Sequence, residues 1–162
     1  MLKVLPYESR HQNGVLSLIV NIQRNEFGVP ITAEEQPDLA NIEEYYQSGA
    51  GNFWVAMDVE QGLVVGTVSL LDIGAGQGAL RKMFVHKDYR GGQMGVAAKL
   101  LQTLVQWCEE KKVHEIFLGT TPQFLAAHRF YEKNRFTEVS PADLPQSFPV
   151  MAVDKKFYKR QI

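Results

Sequence analysis

Residues 84–101, FVHKDYRGGQMGVAAKLL, set a basic, glycine-rich turn between a β-rich run and an amphipathic helix. A turn of this kind aims several backbone N–H groups, with the positive end of the helix dipole, at one point. Gly91, Gly92 and Gly95 carry no Cβ, so a bulky anion can approach the main chain, and Lys87 and Arg90 add positive charge. The chemistry suited to such a turn is capture of a diphosphate. It lacks the Lys-Ser/Thr ending of a phosphate-hydrolysing loop, which argues against nucleotide hydrolysis. The same glycines would also serve a tight strand-to-helix turn with no ligand at all.

The elements that must position this turn follow from periodicity. LKVLPY reads as a first strand, and Val15, Leu18, Ile19 and Ile22 recur at helical spacing, predicting a helix from Ser9 to about Asn25. Phe27-Gly28-Val29-Pro30 breaks it. Leu39, Ile42, Tyr45 and Tyr46 predict a second helix from Pro37 to Ser48-Gly49. NFWVAMDV and GLVVGTVSLLDI then read as a hairpin turning at Glu60-Gln61-Gly62, and GAGQG leads to a third run, ALRKMFVH. A helix over Gln93–Lys112 carries the stripe Val96, Leu100, Leu101, Leu104, Val105 and Cys108. HEIFLGTT, a helix over Gln123–Asn134, RFTEVS and FPVMAVDKKFY complete the order β-α-α-β-β-β-α-β-α-β-β. Such an order predicts an α/β fold, a mixed sheet with helices on its faces.

Composition narrows the class. The chain has 162 residues, enough for one domain over 1–162, with 45% apolar and 22% charged residues, which excludes disorder and an integral membrane protein. Cys108 is the one cysteine, so neither a disulfide framework nor a cysteine zinc site is available. His11, His86, His114 and His128 show no metal-ligand spacing; His128 reads as a helix-surface residue, and Phe53 and Trp54 as sheet core. The net charge of −1 gives no sign of nucleic acid or a membrane surface, and MLKVLPYESR lacks an apolar leader, so the expected location is cytoplasmic. Residues 1–80 hold 3 basic and 10 acidic side chains whereas residues 81–112 hold 7 and 3, a division that suits two solvated faces or two ligands of opposite sign.

Two motifs carry a resemblance. Arg90-Gly91-Gly92-Gln93-Met94-Gly95, preceded by MFVHKDY, is similar to the pattern Arg/Gln-x-x-Gly-x-Gly/Ala with which the GNAT family of N-acetyltransferases binds acetyl-coenzyme A. AAHRFYEKNRF, residues 126–136, resembles that family's second signature, and the order of elements over the whole chain matches. Three positions depart from the pattern: Gln93 stands for its first glycine, Arg135 for the glycine before Phe136, and Phe124 for an asparagine found in many members.

The resemblance implies the acyl-CoA N-acyltransferase fold, a mostly antiparallel twisted sheet of about seven strands flanked by four helices. It implies acetyl-CoA as co-substrate, no metal, and an acetyl group moved to a primary amine by direct attack, the acceptor being a small molecule or a peptide amine. The diphosphate would sit on Arg90, Gly91, Gly92, Gln93, Met94, Gly95 and Val96, and a backbone N–H of Phe84 or Val85 would face the developing oxyanion. Tyr131 falls at the general-acid position, protonated at neutral pH as a phenol must be to serve a thiolate. For the amine, Glu26, Glu34 and Glu35 flank the break between the first helices, and Glu26 is the expected acid to hold or deprotonate it. Arg81 offers a bidentate site for a carboxylate, the mark of an amino-acid-like acceptor, or else snorkels to solvent. Two other readings stay open: a non-catalytic coenzyme-A-binding module of the same fold, and transfer of a longer acyl group. Members are often homodimers, but no interface is legible here.

Overall fold

The computed structural model describes residues 1–162. Its strands are β1 (Leu2–Pro6), β2 (Asn52–Asp58), β3 (Leu63–Gly74), β4 (Gln77–Val85), β5 (Glu115–Thr120), β6 (Thr137–Val139) and β7 (Lys156–Gln161). They form one mixed, mostly antiparallel sheet in the order β1-β2-β3-β4-β5-β7-β6, in which only β4 and β5 run parallel. Four helices flank it: α1 (Gln12–Val20), α2 (Ile42–Tyr45), α3 (Val96–Lys111) and α4 (Leu125–Lys133).

β2 shows how the sheet is covered on both faces. Alternation sends Phe53 and Val55 towards α1 and α2, where they meet Val15, Ile19, Ile42 and Tyr46, while Trp54 and Ala56 join Leu100, Leu104 and Cys108 of α3 on the other side. Cys108 is fully enclosed, and burial pushes its thiol up to about 12, so it serves as a small core residue.

Several elements differ from their expected extents. The first helix changes character at Asn21, where a π-helical turn carries it to Glu26. The expected second helix is a 3-10 turn over Pro37–Ala40 followed by the single turn α2. Asn41, with φ −136° and ψ 50°, leaves the helical region between them, and the Tyr46 hydroxyl donates to Asp38 Oδ2 at 2.5 Å across the gap. The last strand begins at Lys156 rather than Phe148, because residues 151–154 fold back: Asp154 N–H donates to Met151 O, and Met151 N–H donates to Asp154 Oδ2. His128 lies inside rather than on the helix surface, its Nε2 2.9 Å from Thr121 O.

One irregularity opens the sheet. Thr67 pairs with Phe84, yet Ser69 pairs with Arg81, so β4 carries one extra residue, and Lys82 takes a left-handed φ of 57°. Such a bulge bends its strand. The hydroxyls of Thr67 and Ser69 donate to the Lys82 and Arg81 carbonyls at 2.6 and 2.8 Å, fixing the distortion in place. β4 and β5 pair only over Gln77–Ala79 with Glu115–Phe117 and then part, while β5 stays paired with β7 along its whole length.

Candidate active site

Where β4 and β5 part, a cleft of about 460 Å³ opens between the β4 terminus, the turn after it and α4. Its walls are largely apolar, with Met83, Phe84, Phe124, Ala127 and Phe130 along it and Arg90, Gly91, Gly92 and Gly95 at one end. In that turn Gly91 and Gly95 have φ of 106° and 63°, a region that disfavours residues with a Cβ. Gly95 N–H donates to Gly91 O at 3.2 Å, but the N–H groups of Gly91, Gly92, Gln93 and Met94 have no protein acceptor. Open space lies where a Cβ on Gly92 would stand. These donors without a protein acceptor stand beside the start of a 16-residue helix, and the turn is tethered behind by Tyr89, whose hydroxyl donates to Asp58 Oδ2 at 2.6 Å.

The β4 ladder sorts the two main-chain candidates. His86 N–H donates to Val65 O, so His86 and, by alternation, Phe84 turn their amides towards β3. Val85 N–H therefore points the other way, towards the cleft. Its carbonyl does the same and accepts from Arg90 Nε at 2.8 Å.

A second, smaller cavity adjoins the cleft, sharing Met83, Phe84, Phe124 and Ala127 with it. Phe124 lines both, packed edge-on against Phe27 and Phe84 with centroids 4.9 and 6.0 Å away. Tyr131 lines the smaller cavity; its hydroxyl has no protein hydrogen bond, and burial raises its pKa well above the usual phenol value, with Asp154 and Tyr158 adding to the rise. Arg81 and Lys82 of β4 line this cavity too. Lys82 is engaged: its ammonium donates to Gln36 Oε1 at 2.5 Å and lies 3.6 Å from Asp38 Oδ2, within a buried set that includes the Gln23–Gln36 amide pair. Burial nonetheless lowers its pKa to about 8. Arg81 donates to the Tyr45 hydroxyl at 3.0 Å and approaches Met151 Sδ at 3.1 Å, its guanidinium over the Tyr45 and Tyr46 rings.

Glu26 and Glu34 do not reach this cavity. Glu26, at the end of the π-helical turn, forms a two-pronged ion pair with Arg90 at the mouth of the cleft, so its carboxylate is engaged there. Glu34 is exposed on the loop before the 3-10 turn. The acid that does line the cavity is Asp154, in the fold-back before β7. Sequence reasoning missed it, because that segment reads as strand and nothing local marks one aspartate as buried. Arg81, Tyr131, Phe84, Val85 and, of the turn, Arg90, Gly91, Gly92, Gly95 and Val96 line the two adjoining spaces, whereas Gln93 and Met94 line neither, Met94 facing a separate groove beside α1.

A bulged strand parting from its parallel neighbour, with a glycine turn at the mouth of the gap, defines an acyl-CoA N-acyltransferase fold. The model of the acetyltransferase (GNAT) family matches residues 16–136, and the chain belongs to that family. It is similar to the crystal structure of a GNAT-family acetyltransferase from Staphylococcus aureus Mu50, with a TM-score of 0.95 and 37% identity over 99% of both chains. Among curated proteins it is 35% identical over 108 residues to N-acetylaspartate synthetase of Danio rerio; the match covers 65% of this chain and 37% of that relative. The chain thus corresponds to little more than a third of the curated relative. At 12% identity the fold alone is shared with a PaiA N-acetyltransferase from Thermoplasma acidophilum, solved in complex with coenzyme A (TM-score 0.76, 100% and 99% coverage). No helix is long and apolar enough to cross a membrane.

Proposed function

We propose that this protein transfers an acetyl group from acetyl-coenzyme A to the primary amine of a small acceptor. One observation carries the reading: the glycine turn and Tyr131 lie on two spaces that meet at Met83, Phe84 and Phe124, so a ligand anchored at the turn would deliver its far end beside the phenol. When bound, acetyl-coenzyme A supplies the activated acyl group as a thioester.

Each of the chain's groups then has one task. The free amides of Gly91–Met94 and the Arg90 guanidinium bind the pyrophosphate. Val85 N–H faces the oxygen that gains charge when the amine attacks, and a well-aimed donor of this kind lowers the barrier by roughly 3 kcal/mol. Tyr131 holds its proton across the physiological range and donates it to the departing sulfur. Phe124, in place of a polar residue, keeps the junction dry.

Thiol release from acetyl-coenzyme A, followed over a panel of amines, tests this function. The expected result is amine-dependent release with a mass gain of one acetyl group on the acceptor. Binding of acetyl-coenzyme A without release on any amine would replace it with a coenzyme-A-responsive module, and faster release from longer acyl thioesters would replace the acetyl group.

A further inference from the structure

We infer that the acceptor is a free amino acid held by its two poles, with Arg81 taking the carboxylate and Asp154 taking the ammonium and then its proton. The inference rests on the acetyltransferase reading above and deepens it.

Arg81 is an unused cation. It lines the smaller cavity, has five N–H donors to offer, and spends them on one tyrosine hydroxyl and one thioether, with no ion pair. Its neighbour Lys82 shows the contrast, being tied to Asp38 and Gln36. A guanidinium held within 5.6 and 5.9 Å of two tyrosine ring centroids, with donors left over, suits a carboxylate far better than a neutral group.

Asp154 is the complementary pole. The fold-back of residues 151–154 turns its carboxyl into the cavity and over Gly119 at the parted end of β5, where a Cβ would come within 2.6 Å of Oδ2. Oδ2 accepts from Met151 N–H at 3.2 Å, and no other protein donor reaches the group. Facing it are Arg81 and Lys82 from β4, Lys155 beside it and Tyr131 from α4. Burial outweighs the cations and raises its pKa, bringing it closer to that of an amine it must deprotonate. Acid and base thus line one small cavity from different elements.

The step balances. An ammonium N–H proton passes to the Asp154 carboxylate, and the freed lone pair forms the N–C bond at the thioester carbonyl. The C–S bond breaks, its electron pair leaves on sulfur, and Tyr131 protonates the thiolate. The nitrogen still carries two protons after attack and gives up one as the amide forms; that proton restores the phenol through solvent, and Asp154 releases its own to water.

The test measures thiol release with α-amino acids, each paired with its decarboxylated amine, for the unaltered protein, Arg81→Gln and Asp154→Asn. The unaltered protein should favour the amino acid by ~100-fold in kcat/KM, and Arg81→Gln should erase that preference by raising KM. Asp154→Asn should lower kcat/KM by ~100-fold for alkyl ammonium acceptors. For an acceptor whose amine is already neutral at the assay pH, the loss should be far smaller, a difference that a merely structural aspartate would not produce. Titration with acetyl-coenzyme A should be unchanged in both variants, showing that they fold. Equal rates on decarboxylated amines, with Arg81→Gln silent, would overturn the two-pole acceptor and leave the acetyltransferase standing. An Asp154→Asn loss independent of amine basicity would overturn its proton role, and no release with any acceptor would overturn both readings.

Discussion

Glu26 and Arg90, 64 residues apart, meet across the mouth of the cleft: Arg90 Nη2 donates to Glu26 Oε2 at 2.9 Å, and Nη1 engages the second carboxylate oxygen. Phe27 lies under the same guanidinium at 5.6 Å. The pair ties the π-helical turn to the glycine turn, and it occupies the donors that a pyrophosphate would want. A partly exposed ion pair of this sort is worth little, ~0.2–1 kcal/mol. Glu26→Gln should therefore tighten acetyl-coenzyme A binding by roughly threefold in calorimetric titration. Arg90→Gln should weaken it about tenfold or more, since a charge-assisted hydrogen bond is lost. The pH profile of turnover should be the same for Glu26→Gln as for the unaltered protein.

Tyr131→Phe separates catalysis from binding. The hydroxyl makes no hydrogen bond that folding would miss, so the melting temperature should hold. Turnover should fall by ~100-fold, the usual worth of a positioned acid, with acetyl-coenzyme A affinity unchanged. Steady-state kinetics beside a binding titration distinguish these; unchanged kcat would take Tyr131 out of the reaction.

Two glycines of one turn should respond differently to alanine. At Gly92 nothing stands within 4 Å of an added Cβ and φ is not left-handed, so Gly92→Ala should melt normally yet bind acetyl-coenzyme A at least tenfold more weakly, because the methyl fills the cradle. At Gly95, φ 63° makes any L side chain strained, and Gly95→Ala should lower stability by ~1 kcal/mol. Thermal melts and titrations of both variants check the contrast.

Lys82 gives the fold a pH signature. Its pKa is about 8 when folded, against the ordinary 10.5 when unfolded, so between these values the unfolded chain binds the extra proton. Stability from this residue is therefore lower below pH 8 and recovers as pH rises from about 8 towards 10.5. Denaturant melts of the unaltered protein relative to Lys82→Met should show a positive slope in this window, approaching ~1.4 kcal/mol per pH unit, on the Lys82 side only. A flat difference would mean that Asp38 and Gln36 fully compensate the burial.

What the sequence made legible was periodic or carried by a motif. The stripe of α3, the β2–β3 hairpin, the glycine turn and the place of Tyr131 within FYEK all depend on residues near one another in sequence. What stayed hidden depends on long-range geometry. The bulge at Lys82 needs hydroxyls on β3 to hold it, and the 37–48 segment reads as helix until Asn41 departs from helical angles. Sequence neighbourhood alone puts Glu26 beside the acceptor, yet its partner is Arg90. Asp154 was invisible because a fold-back, rather than any local pattern, brings it over Gly119. Phe124 stands where a polar residue is expected, and its packing against Phe27 and Phe84 at the meeting of the two spaces is long-range geometry as well.

Isothermal titration of acetyl-coenzyme A, repeated with amide NMR of Gly91, Gly92, Gln93 and Met94, tests the central claim most directly. Saturable one-to-one heat, with downfield shifts confined to those four amides and Val85, is the predicted result. No heat at high ligand concentration, or binding that leaves these five amides unmoved, would contradict it.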